Sequence, residues 1–161
     1  MSDETPTPVE GLPVAWPGRH FSLEEFACHD GSPYPLRWIP LRLVPLVGAL
    51  DAIRDAWGAP LTVVSGYRTS AHNTAVGGAS ASQHVEGRAA DVAPLEGPEP
   101  FPDRVARFHG MILGMWNAGE LPDLGALGYY PGRWCHVDVR ERQPIGHLAQ
   151  WVGTGIGSEQ P

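Results

Sequence analysis

The 161-residue sequence contains no lysine, so its positive charge rests on eleven arginines. Against eighteen acidic residues these leave a formal net charge of −7. No broad basic surface is expected from that balance, which argues against nucleic acid as a partner. No apolar run approaches the ~20 residues that cross a bilayer, so no membrane span is expected. The opening MSDETPTPVEGLPVAWPG has neither the basic nor the apolar segment of a secretory signal. Synthesis in a cytoplasm is expected, with release by some other route if the protein acts outside one. Two cysteines, Cys28 and Cys135, are too few for a disulfide framework and are expected to be thiols. The chain has no internal repeat and no long linker.

What is plentiful is glycine, with 20 residues, and proline, with 17. Short regular elements joined by much loop are therefore expected. An apolar content of 42% against 18% charged residues fits one soluble domain with a real core. Residues 1–18 read as a flexible leader, 19–142 as the domain and 143–161 as an irregular tail.

In HFSLEEFACHDG, Ser22 stands three residues before Glu25, a capping-box spacing ahead of a short helix. Leu43, Leu46, Val47, Leu50, Ile53 and Trp57 recur at helical spacing, with Pro45 near the start and Gly58 at the end. LTVVSG reads as a strand. SAHNTAVGG reads as a short helix capped by Thr69 or Ser70. RAADVAP is a second strand, with Ala90 and Val92 on one face and Ala89 and Asp91 on the other. Residues 103–119 form a helix that turns Val105, Phe108, Ile112, Leu113 and Trp116 inward. GALGYYPGRWCHVDVR reads as a hairpin with strands at 126–130 and 134–140 around Pro131-Gly132. This order predicts an α+β domain, with helices packed on a small, mostly antiparallel sheet.

The last strand sorts its side chains sharply. Cys135, Val137 and Val139 make an apolar face, and Trp134, His136, Asp138 and Arg140 share the other. That polar face suits a cleft or a solvated surface. Elsewhere, SASQHVEGRAADVAP places His84 before a bend at Gly87 and Asp91 on the outward face of the strand that follows. Together with His136 these give two imidazoles and a carboxylate. Three protein ligands with a fourth position open make a catalytic zinc arrangement, for one ion. Cys135 adjoins His136 but points away from it on a strand. Arg68, in SGYRTSAHN, follows a strand end, where functional side chains are often presented. Its fork of donors suits a carboxylate or an oxyanion. His20, His29, His109 and His147 lack a spaced partner and read as ordinary surface or hydrogen-bonding residues. His72 lies close enough in sequence to approach the cleft, and Glu86 reads as a solvated loop residue.

Three motifs, SGYRTSAHN, SQHVEGRAADV and GYYPGRWCHVDVR, resemble in order the zinc D-Ala-D-Ala carboxypeptidase and peptidoglycan endopeptidase family. That family shares its fold with the hedgehog signalling domain. Ser82, His84, Gly87, Ala89 and Asp91 match its Ser-x-His-x-x-Gly-x-Ala-x-Asp pattern, and His136 with Asp138 matches its later His-x-Asp strand. FSLEEFACHDG is similar to the start of the bacterial and phage branch. The resemblance covers roughly residues 21–140. It implies a zinc peptidase acting on peptidoglycan stem peptides or cross-links, monomeric unless it is part of a phage particle. With no secretory signal, a phage-type enzyme released at lysis or carried on the particle is the expected setting. Several branches place an acidic base three residues before the last ligand, and others a histidine two residues before it. Here those positions are Arg133 and Trp134. Asp138 is then the nearest acidic substitute for the base, with Arg68 as its catalytic companion. Trp134 and Tyr130 would line the cleft, and Ser82 and Gln83 would hydrogen-bond the peptide. The competing expectation is a metal-holding binding module of the same fold without catalysis.

Overall fold

The structure is a computed structural model and describes residues 15–141 and 146–154. Its centre is a five-stranded sheet in the order β1-β2-β4-β3-β5. The strands are β1 (Thr62–Ser65), β2 (Ala89–Ala93), β3 (Ala126–Tyr130), β4 (Trp134–Asp138) and β5 (Ala149–Val152). All neighbours are antiparallel except β3 and β5, which run parallel. This is the α+β fold expected from the sequence.

Two long helices cover one face. The first, α1 (Val44–Trp57), carries Pro45 in its first turn, where no backbone donor is needed. Gly58 ends it in the left-handed conformation at φ +78°. A 3-10 turn (Leu36–Trp38) and a π-helical segment (Ile39–Leu43) lead into it. The short α2 (Ser70–Ala75) is capped by Thr69, whose hydroxyl accepts from His72 N at 3.1 Å. The second long helix is α3 (Phe101–Asn117), which starts two residues earlier than the sequence suggested because Pro102 is tolerated in its first turn. Ser22 and Glu25 form their capping box around a 3-10 turn rather than an α-helix.

The core follows the strand alternation. Ala90, Val92, Leu127, Cys135 and Val137 face Leu46, Leu50 and Ile53 of α1 and Val105, Phe108 and Ile112 of α3 in one cluster. Leu113 and Trp116 pack at its edge, partly buried. Both cysteines are buried free thiols, and burial pushes the Cys135 thiol well above its usual range. Trp57 and Phe108 join the two helices edge to face at 5.2 Å.

Two segments differ from expectation. Trp16, within the stretch read as a flexible leader, is buried beside Phe26, and its indole donates to Phe21 O at 2.9 Å. The stretch read as an irregular tail contains β5. Ala149 N donates to Gly125 O at 3.1 Å and Gly153 N to Tyr129 O at 2.8 Å, so the exposed edge of β3 gains a partner. Residues 1–14, 142–145 and 155–161 lie outside the described residues.

Removing the ring that joins the helices tests this packing. Phe108→Ala is expected to cost about 3–5 kcal/mol of unfolding free energy by urea denaturation; a loss below about 1 kcal/mol would mean the helices are held elsewhere.

Candidate metal centre

The apolar alternation that buries one face of the sheet sends Asp91 and His136 to the other. They sit on adjacent strands in direct register, Asp91 opposite His136. His84 comes from the turn-rich loop between α2 and β2. That loop is wound by Val85 N to Ser82 O, Gly87 N to His84 O and Arg88 N to Gln83 O. Gly87 takes φ +68°, and a Cβ there would lie 2.8 Å from both the Trp38 ring and the Tyr34 hydroxyl. Only glycine fits that bend. Tyr34 fastens it by donating to Gly87 O at 2.7 Å.

One atom each from His84, Asp91 and His136 lies within 4.8 Å of the others, and all three residues are buried. His84 Nε2 is 3.3 Å from Asp91 Oδ1, and His136 Nδ1 is 3.2 Å from the same oxygen. No fourth histidine, cysteine, aspartate or glutamate joins the group among the described residues.

The remaining ring nitrogens decide which atoms can be ligands. His84 Nδ1 is 2.7 Å from Gly66 O, and a carbonyl can only accept, so that nitrogen carries the proton. His136 Nε2 is 2.7 Å from Asp138 Oδ2 and is likewise the donor. Nε2 of His84 and Nδ1 of His136 are left facing Asp91. Metal-binding histidines commonly hand their other nitrogen to a carbonyl or carboxylate in this way, so the donor set fits a metal ion.

Burial opposes ionisation of Asp91, yet the charges and hydrogen bonds of His84 and His136 hold its carboxyl well below the usual carboxylate range. Burial likewise works against a charged His136, but Asp138 and Asp91 push it up to about 10. Asp138 is held low by His136 and Arg140 in spite of its burial. The carboxylates and imidazoles thus favour each other's charged forms. A cation there would compete with a proton for the same imidazole nitrogens.

The other residues named from the sequence take definite places. Ser82 is buried, and its hydroxyl accepts from His84 N at 3.2 Å, which shapes the loop. Gln83 Oε1 and Trp134 Nε1 are buried polar atoms without a hydrogen-bond partner. Tyr130 is buried and stacks on Trp134 at 5.4 Å. Arg68 turns inward: Nη2 meets Asp91 Oδ2 at 3.4 Å, Nε meets Ser65 Oγ at 3.1 Å and Nη1 meets Asn73 Oδ1 at 3.3 Å. Asp138 lies at the His136 nitrogen turned away from Asp91, not among the three ligand atoms. Arg133 is exposed in the hairpin turn, and Glu86 pairs with Arg42 on an exposed surface at 3.5 Å. His72 lies against His29, with ring centroids 6.1 Å apart.

Trp151 of β5 was not anticipated. Its ring centroid is 4.9 Å from that of His136, and its indole donates to Tyr130 Oη at 3.1 Å. The only sequence signal for it is LAQWV ahead of Gly153, a short apolar patch in a polar tail.

If Arg68 orients Asp91, Arg68→Lys is expected to weaken metal binding about 10–100-fold in chelator competition, since one ammonium cannot span three partners. Unchanged affinity in the folded variant would show that Asp91 is held without it.

The peptidase M15 family profile matches residues 19–113. Comparison with curated proteins and with solved structures gave no significant match. The matched span includes His84 and Asp91 and ends before β3 and β4, so His136 joins the site by geometry. With more than half of its length matched, the chain belongs to the peptidase M15 family, whose members are metal-dependent.

Proposed function

We propose that this chain is a zinc-dependent peptidase that hydrolyses peptide bonds in the stem peptides or cross-links of peptidoglycan. The observation that carries the reading is the convergence of His84 Nε2, Asp91 Oδ1 and His136 Nδ1, with the far nitrogen of each imidazole already engaged. Two nitrogens and one oxygen with no thiolate suit zinc in a catalytic site. When bound, zinc supplies a Lewis acid for the scissile carbonyl and for the attacking water.

The chain's own groups then hold the peptide. Gln83 adjoins His84, and its Oε1 is an acceptor without a partner; Trp134 Nε1 is a donor without one, two residues before His136 on the same strand face. Both atoms are enclosed, so a substrate N–H would meet the first and a carbonyl the second once the two side chains turn toward it. Satisfying such buried groups on binding favours a peptide over an apolar ligand. Tyr130 and Trp134, stacked together, form one wall. Asp138 fixes the His136 ring and keeps Nδ1 unprotonated when the ion is present, so we assign it a positioning role in place of the base. Arg68 does the same for Asp91.

A second reading, a metal-holding binding module, is favoured by one observation. The position that is acidic in several similar peptidases is the exposed Arg133, and no further carboxylate joins the ligand group among the described residues. Digestion of purified peptidoglycan followed by mass spectrometry separates the two. The peptidase reading expects new peptide ends that vanish with a chelator and return with zinc. Zinc-loaded protein that binds the wall but yields no product would establish the binding module.

Asp138→Asn distinguishes positioning from proton transfer. Weaker zinc affinity by about 10–100-fold, with turnover restored by excess zinc, is expected. Full zinc retention with turnover reduced about 10²–10⁴-fold would instead make Asp138 the base.

A further inference from the structure

Four side chains close a ring of contacts behind His136. Its Nε2 meets Asp138 Oδ2 at 2.7 Å. Arg140 grips that carboxylate from the other side, with Nη2 to Oδ2 at 2.6 Å, Nε to Oδ1 at 2.9 Å and its backbone N to Oδ1 at 3.1 Å. The Arg140 guanidinium lies 5.4 Å from the centroid of the Trp151 ring. That ring completes the circuit at 4.9 Å from His136.

Two glycines make room for it. A Cβ on Gly128 would lie 2.6 Å from the Trp151 ring, and one on Gly125 would lie 2.8 Å from Arg140 Cγ. Gly128 stands in register with His136 on one side and Trp151 on the other. The strand pairing therefore delivers the indole to the histidine.

We propose that Arg140 and Trp151 act as a clamp that sets the His136 ring for metal binding, which makes the C-terminal strand β5 part of the metal centre. Both are positioning residues. Arg140 fixes the carboxylate through a planar fork, and a carboxylate so fixed leaves the imidazole one rotation and one tautomer. Trp151 limits the swing of the ring and lies within cation–π reach of the guanidinium. Both residues of this clamp lie beyond the matched family span, which ends at residue 113. The proposal rests on the metal-dependent reading above.

The test is zinc affinity by competition with a chromogenic chelator, together with the visible spectrum of the cobalt(II)-loaded protein and the melting temperature without metal. Arg140→Gln and Trp151→Ala are each expected to weaken zinc binding about 10-fold or more and to shift the cobalt bands. Trp151→Phe keeps a ring against His136 and under the guanidinium, and is expected to recover most of the affinity. If Arg140→Gln does not fold, Arg140→Lys takes its place: it keeps the charge without the fork, and its cobalt bands should also shift. Wild-type affinity and wild-type bands in the folded variants would overturn the clamp, even with a lowered melting temperature, since that marks a purely structural role. Failure of the wild-type protein to take up zinc or cobalt would overturn the functional reading and the clamp together.

Discussion

Asp91 is a carboxylate buried at the centre of a sheet, and the site depends on meeting its charge. A lone buried carboxylate is costly enough to be neutralised or paired. Here it is paired with two imidazoles and a guanidinium, each delivered by a different part of the chain. The direct register of β2 with β4 brings His136, the loop turned by Gly87 brings His84, and the segment after β1 brings Arg68. Positive charge must lie beside Asp91 in any stable state, and a divalent cation between two imidazoles and a carboxylate is one way to provide it.

The same sheet is buried on both sides at β2 and β4. One face is apolar and packs on α1 and α3. The other is polar, and every polar group on it needs a partner. Asp138 is satisfied by His136 and Arg140, and Arg68 by Ser65, Asn73 and Asp91. Gln83 Oε1 and Trp134 Nε1 lack one; Gln83 adjoins His84 in the chain, and Trp134 stands two residues before His136.

Much of this was legible in the residues. The two-residue alternation of WCHVD and AADVA sorted core from site, because strand geometry fixes which side chains share a face. The spacing from His84 through Gly87 to Asp91 marked the bend, because only glycine tolerates it. Other features were not legible. The nitrogen that each histidine presents depends on Gly66 O and Asp138, partners set by tertiary packing. That Asp138 meets His136 at Nε2, the nitrogen turned away from Asp91, was not legible either, because strand spacing gives its distance from His136 but not the side of the ring it meets. The inward turn of Arg68 was hidden as well, because nothing local shows that Asn73 and Ser65 hold its fork. Strand β5 was missed because four residues with one tryptophan carry little pattern, and the unpaired edge of β3, far off in sequence, is what orders them.

The Trp151 ring against His136 brings β5 to the site, so the proposed clamp extends the metal centre past the hairpin. The central claim is that His84, Asp91 and His136 hold one zinc ion with no sulfur ligand. X-ray absorption at the zinc edge on the loaded protein tests it most directly. One zinc per chain is predicted, with only nitrogen and oxygen neighbours at about 2.0–2.2 Å and the scattering signature of two imidazoles. A sulfur neighbour at about 2.3 Å, or zinc well below one per chain, would contradict it.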